Sequence, residues 1–344
     1  MNLTKLARMA NVSVSTVSKA FTDSREISAE TKKMIFDLAK ANGCFEKYYK
    51  PKYAKKLIAV ICPEMLGIHY TQMATSIERE ITARGATMVL SVSNFSAAIQ
   101  QELLDYYTHF AHADGIIVIE PAGKIRNNTD VPIVQIGVEY ETKDVDCVSV
   151  DISAAMEDAV RWLDRMGHTD IGFIGETLAE KEYDYFRAVI QKKKIEVSPQ
   201  NVIISEKRFY DAGYFAMDKM LANDRLPTAI FAAYSHIATG ILQRLKEENL
   251  RVPQDISLIC MDDIQTLPYS DMKLACIKMH LDELCAIAIE LMNKKLESSY
   301  FRTRQMISVS REFDKGESIA DRRQKKADGK DNTNPKKQKT AAKR

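Results

Sequence analysis

The feature that most constrains this chain is a series of short, unbroken apolar runs, among them LIAVIC at 57–62, GIIVI at 115–119, TAIF at 228–231 and ISLICM at 256–261. A strand with no polar face must be covered on both sides, which happens when helices alternate with parallel strands. The spacing fits. After 57–62 a helical period spans 70–84 and closes at Gly85, followed by a strand at 88–92, a helix at 97–110 and strands at 115–119, 131–137 and 148–150. A second series follows: helices at 153–166, 183–193, 212–221, 237–248 and 281–296, and strands at 171–174, 202–204, 228–231 and 256–261. Two consecutive α/β series of similar size predict two lobes with a cleft between them.

The first 43 residues read differently, as three short helices. Asn2 caps the first over 3–10, and Asn11 stands where a left-handed residue would end it. Ser13 caps a second helix at 14–21, and Ser28 a third at 29–41 that closes on Asn42-Gly43. Charge sets this module apart. Residues 1–56 hold 12 Lys/Arg against 5 Asp/Glu, and residues 315–344 hold 11 against 4, within a chain total of 49 against 47. The middle is therefore acidic, and any polyanion is expected to meet the ends.

The six cysteines (Cys44, Cys62, Cys147, Cys260, Cys276, Cys285) form no C-x-x-C pair and have no nearby His cluster, so neither a zinc site nor a disulfide framework is expected. No apolar run reaches the ~18 residues of a bilayer span, and the N-terminus lacks the apolar stretch of a signal peptide. A cytoplasmic location is the expectation, with no membrane contact. The chain shows no nucleophile elbow, G-x-G-x-x-G, P-loop or H-E-x-x-H. No catalytic residue, metal or cofactor is expected. Asp262-Asp263 could mimic a catalytic acid pair, but sequence neighbours point apart unless a turn joins them.

The segment NLTKLARMANVSVSTVSKAF at 2–21 resembles the helix-turn-helix of the LacI-type bacterial repressors, most specifically in VSVSTVSKA at 12–20. The resemblance continues through 149–175, 227–264 and 281–292, and so covers about 2–312. It implies an N-terminal all-α helix-turn-helix headpiece at 1–46, a basic hinge at 47–56 and a two-lobed α/β core with parallel sheets at 57–313. That core resembles periplasmic sugar-binding proteins. A disordered basic tail is expected at 314–344. It also implies a transcriptional regulator of carbohydrate-related genes that binds double-stranded DNA as a homodimer. One headpiece covers too few base pairs for selectivity, and two related by a dyad would read a pseudo-palindrome. The other classes considered are a solute-binding protein and a regulator whose cleft no longer holds a sugar.

By the family match, Val14, Ser15 and Lys19 face base edges, while Ser13, Thr16 and Ser18 give hydroxyls to phosphates and Val17 turns inward. The hinge departs from the family's Ala-Arg-x-Leu. Ala54-Lys55 stands for the Ala-Arg pair, and Leu57 is read as the first residue of a strand. Either Tyr53 or the Tyr48-Tyr49 pair wedges into DNA, or the hinge touches only phosphates through Lys47, Lys50, Lys52, Lys55 and Lys56.

In such a core a small-molecule effector sits at the carboxyl ends of the parallel strands. The candidates there are 68–71 with Tyr70, Gly137, Tyr234, Ser235, His236, Asp262 and Lys278. Tyr70 either stacks on a sugar or packs in the core, and Asp262 either binds ligand or caps a turn. The family's usual Asn-Asp pair is Tyr234-Ser235 here, and its usual Arg falls at Glu182, four residues before Phe186. Those departures mean that the ligand is not a typical neutral sugar, that it binds weakly, or that none binds. Lys278 and His236 would favour a sugar acid or sugar phosphate.

Overall fold

The hydroxyls that precede the N-terminal helices do cap them. In a computed structural model, which describes residues 2–22, 24, 26–49, 55–137, 145–193, 195, 197–262, 272–297 and 303–323, Asn2 Oδ1 accepts from Lys5 N at 2.9 Å. Ser13 Oγ accepts from Thr16 N at 2.9 Å, and Ser28 Oγ from Thr31 N at 3.2 Å. These caps open α1 (Leu3–Met9), α2 (Val14–Phe21) and α3 (Ala29–Ala41), and Asn11 has the left-handed φ of 52° expected between α1 and α2. Leu6, Val17, Ala20, Phe21, Ile35 and Ala39 close the core of this three-helix unit.

A fourth short helix, α4 (Phe45–Tyr48), extends the unit into what the sequence assigned to the hinge. Phe45 and Tyr49 stack at 4.7 Å, while Tyr48 and Tyr49 lie 5.9 and 5.4 Å from Phe21 and Phe36. The Tyr48-Tyr49 pair is thus spent on packing and does not stand free as a wedge. Tyr53 and Ala54, with Lys50 and Lys52, lie outside the described residues.

The first lobe is a parallel sheet. In chain order it begins β1 (Leu57–Cys62), α5 (Ile68–Ala83), β2 (Thr87–Val92), α6 (Ala97–His109), β3 (Gly115–Ile119), β4 (Ile133–Ile136) and β5 (Asp146–Asp151). Leu57 belongs to the strand, its N–H bonded to Asp114 Oδ2 at 2.7 Å. The chain then crosses to build the second lobe: α7 (Ser153–Arg165), β6 (Ile171–Glu176), α8 (Glu180–Lys193), β7 (Val202–Ser205), α9 (Phe209–Met220), β8 (Ala229–Ala232), α10 (Ser235–Glu247), β9 (Ser257–Cys260) and β10 (Ala275–Lys278).

The two series are not simply consecutive. α11 (Leu281–Glu297) returns to the first lobe, where Leu284, Cys285, Ala288 and Ile289 join Ile58, Val60 and Ile117 in one core. β11 (Met306–Ser310) then pairs in parallel with β5, and β12 (Glu312–Asp314) pairs antiparallel with β10. The sheets read β11-β5-β4-β3-β1-β2 and β12-β10-β9-β8-β6-β7. The backbone therefore crosses between lobes at 151–153, 278–281 and 310–312. All six cysteines are buried, where a thiol packs as a small apolar filler. Among the described residues no helix is long and apolar enough to cross a membrane.

The expected structureless tail from 314 begins too early. Residues 315–323 form a strap on the second lobe: Ser318 is fully buried, its Oγ accepts from Ala275 N at 2.7 Å and donates to Leu258 O at 2.5 Å, and Arg322 N donates to Met166 O at 2.7 Å. Polar residues hold this strap through backbone partners, which is why hydropathy does not reveal it. Residues 324–344 lie outside the described residues.

The strap seals His168. Its Nε2 donates to Ala320 O at 2.9 Å, and its Nδ1 is buried without a partner. Burial holds this imidazole neutral, down at about 4. The unfolded chain, near 6.5, takes up a proton that the folded one refuses. Stability is therefore full above pH 6.5 and is lost as pH falls toward 4, by roughly 2–3 kcal/mol from this residue. Urea unfolding of the parent and His168→Gln between pH 7.5 and 4.5 checks it. The variant should show a flatter pH dependence, and parallel curves would remove His168 as the cause.

Candidate functional site

Two surfaces carry chemistry. The first is the outer face of α2. Val17, Ala20 and Phe21 are buried against α1 and α3, so 3.6-residue periodicity turns Val14, Ser15 and Ser18 outward, with Thr16 and Lys19 at the border. Val14 is 42% exposed, an apolar side chain in the first turn with nothing to cover it. Ser13 Oγ and Thr16 Oγ1 share a hydrogen bond at 2.8 Å, which leaves one of the two hydroxyl protons for an outside acceptor. Lys19 Nζ is ion-paired with Glu26. That pair is exposed on both sides, so exchanging it for another acceptor costs little. Lys55 and Lys56 are exposed beside the first strand.

The second surface is a cavity of about 340 Å³ between the lobes. Parallel strands bring it about: with all of β1–β11 aligned within their sheets, their carboxyl ends lie on one side of each lobe, and the two sides face each other. Glu64 follows β1, Glu120 follows β3, Glu176 ends β6, Tyr234 follows β8, Asp262 follows β9 and Arg311 follows β11. Three bulky or charged wall residues, Phe95, Glu120 and Phe209, have φ of 56°, 40° and 56°. Left-handed backbone at such residues is strained and marks a wall held for something other than stability. Gly137, at φ 111°, makes room for one of them, since a Cβ there would stand 2.5 Å from the Glu120 carboxylate.

Charges stitch the lobes together across this space. Arg208 of the second lobe forks onto Glu64 of the first, Nη1 to Oε2 at 2.6 Å and Nη2 to Oε1 at 2.9 Å, and its Nε reaches Glu176 Oε1 at 3.3 Å. Lys181 of the second lobe meets Glu120 of the first at 3.0 Å. The Arg208 guanidinium also lies 4.4 Å over the Phe209 ring. Asp262 accepts from Ser235 Oγ at 3.2 Å and from Cys260 Sγ at 2.8 Å, and burial raises its carboxyl to about 6. Burial also lowers His69 to about 4 and pushes His236 down, so both imidazoles are neutral at pH 7.

Of the residues singled out from sequence, Tyr70, Gly137, Tyr234, Ser235, His236 and Asp262 all line the cavity. Tyr70 packs against the first-lobe core, one of its two expected roles, and its ring meets that of Phe95 edge-on at 6.1 Å in the cavity wall. Asp262 bonds sideways to Ser235, while the segment it would cap lies outside the described residues. Lys278 is the exception. Its Nζ bonds Asp314 Oδ2 at 2.9 Å, while Met279 lines the cavity, because successive residues leave a strand on opposite sides. An anionic ligand would therefore not meet Lys278, and the neutral His236 does not replace it. Sequence reasoning missed Glu64, Glu176, Arg208 and Arg311, whose partners lie far away in the chain. Asp263 lies outside the described residues.

Comparison with known proteins adds the following. The model of the periplasmic-binding-protein-like domain matches residues 160–319. Catabolite control protein A of Priestia megaterium is 26% identical over 314 residues, covering 86% of this chain and 92% of that protein. The HTH-type transcriptional repressor PurR of Pasteurella multocida (strain Pm70) is 25% identical over 311 residues, covering 85% and 90%. Among solved structures, the Lac repressor dimer bound to operator and the anti-inducer ONPF superposes with a TM-score of 0.68 at 18% identity, covering 93% of this chain and 99% of that one.

Proposed function

We propose that this chain is a LacI-type transcriptional regulator, a cytoplasmic, non-enzymatic repressor of carbohydrate-related genes, as its likeness to the catabolite control protein and PurR repressors along most of their length supports. It binds a pseudo-palindromic operator as a homodimer and is controlled by a hydroxyl-bearing small molecule held between its lobes. The observation that carries the reading is the pairing of two sites on one chain. One is an exposed, serine-capped helix on a basic module, the other a strained, charge-lined cavity in the body behind it. In the DNA reading Val14, Ser15 and Lys19 meet base edges while Ser13, Thr16 and Ser18 bind phosphates. Tyr53, Ala54 and Lys55 follow the backbone or minor groove. Tyr70, Tyr234, Ser235, His236 and Asp262 contribute to the effector site; Lys278 is withdrawn from it.

Effector control follows from the ion pairs between lobes. A ligand can act only through unequal affinity for two arrangements of the core, and the Glu64–Arg208 and Glu120–Lys181 pairs exist only when the lobes are close. A ligand that competes for or completes those pairs shifts the balance. The test is to incubate the purified protein with fragmented genomic DNA and sequence what it retains. We expect fragments with a shared two-fold motif, bound with an affinity that falls steeply as salt rises. Retention without any shared sequence would overturn the reading.

A further inference from the structure

The charge balance of the cavity identifies the effector's chemistry more narrowly. We propose that the interlobe cavity takes a protonated amine on a hydroxyl-bearing skeleton, an amino sugar or amino polyol, with Glu182 and Glu176 receiving the ammonium group. The inference rests on the effector-controlled reading above.

Three wall residues are cations, and two of these are already matched. Arg208 holds both oxygens of Glu64, and Lys181 holds Glu120. The remaining carboxylates are Glu176, Glu182 and Asp262, against Arg311 alone among the described wall residues. Glu176 is 1% exposed, its Oε1 shared with Arg208 and its Oε2 without a hydrogen-bond partner. A buried carboxylate oxygen facing a cavity unsatisfied is costly, and a donor arriving with the ligand removes that cost. Arg311 donates Nη1 to Met261 O at 3.2 Å, its Nε is buried without a hydrogen-bond partner and so open to a hydroxyl oxygen of the skeleton, and its single charge stands against Glu182 and Asp262 together. Two carboxylates are thus left in excess in a partly desolvated space. The wall aromatics agree, because Tyr70 and Tyr185 line the same space and a cation is attracted to ring faces. A neutral sugar would leave the excess uncompensated, and an anion would add to it. The hydroxyls of the skeleton meet Ser235, Tyr234 and Asp262, each a donor, an acceptor or both.

The experiment is isothermal titration of the full-length protein with glucosamine, galactosamine and mannosamine, beside glucose, N-acetylglucosamine, glucuronate and glucose 6-phosphate. Each is repeated on Glu182→Gln and Glu182→Lys. At least one amine should bind tenfold or more tightly than every neutral or anionic member. Glu182→Gln should weaken that binding about 10- to 100-fold, the range of one charge-assisted hydrogen bond. Glu182→Lys should abolish it. Operator retention and thermal midpoint show that the variants still fold. Equal or tighter binding of a neutral or anionic member, indifference to Glu182→Gln, or no amine bound at millimolar concentration overturns the proposal. If a neutral or anionic member binds and changes operator retention, the regulator reading stands while the amine falls. If the protein selects no DNA sequence, that reading falls, whatever the amines do.

Discussion

Replacing Ser15 and Lys19 together by alanine is expected to weaken binding to the preferred duplex by about a thousandfold, and binding to unrelated DNA at the same salt far less, through the lost lysine charge alone. The size comes from symmetry. A side chain that reads a base edge is worth roughly 1 kcal/mol or more, and a dimer uses each one twice. Two side chains in two half-sites give about 4 kcal/mol, near three decades in affinity. Stability should scarcely move, because Ser15 is exposed and the Lys19–Glu26 pair lies at the surface. Fluorescence anisotropy on preferred and scrambled duplexes measures both arms. A variant that grips its preferred duplex as the parent does removes α2 from the reading surface. The same geometry implies that Glu26→Gln should strengthen binding to all sequences, since it frees Lys19 and deletes a like charge facing the phosphates.

The second large effect belongs to Arg208→Ala. Removing this guanidinium leaves Glu64 and Glu176 facing each other, with side chains 8% and 2% exposed. An uncompensated buried charge costs roughly 3–5 kcal/mol, yet this chain has a way to lessen that cost. If the lobes swing apart, Glu64 returns to water. The variant should therefore show two changes at once, a loss of stability by denaturant titration and a larger radius of gyration by small-angle X-ray scattering without ligand. Adding Glu64→Gln to Arg208→Ala should recover part of the lost stability, because one of the two stranded charges is gone. A variant as compact and as stable as the parent would mean that Arg208 does not latch the lobes.

The headpiece was legible because its signals are local. Serine caps, a left-handed Asn11 and an apolar face at helical spacing are each decided within a few residues, and all of them recur in the fold. The lobes were legible for a similar reason, since a continuous apolar run states its own burial. The cavity was half legible. A rule about strand ends found Tyr234, Ser235, His236 and Asp262 without knowing any partner, and Glu182 stood out as a reversal of charge. That rule could not find Arg208, whose meaning lies in a carboxylate 144 residues earlier. It misplaced Lys278, because strand alternation was not applied to a strand that the sequence did not reveal. β10, β11 and β12 are only four, five and three residues long, two of them at sheet edges, too short for an alternation to stand out.

The three crossings also bear on how the molecule is made. Five of the six strands of the first lobe are in hand once residue 151 has been translated, but α11 and the edge strand β11 arrive only after most of the other lobe. At roughly ten residues per second, the apolar groove awaiting Leu284, Cys285 and Ile289 stays bare on the ribosome for a time on the order of ten seconds. Vectorial folding thus brings out most of the second lobe before the first is finished, and β12 and the strap close the second lobe last. A transcript truncated between residues 151 and 306 yields a chain with β5 as an open sheet edge, material for the cell's chaperones and proteases and not a smaller working core.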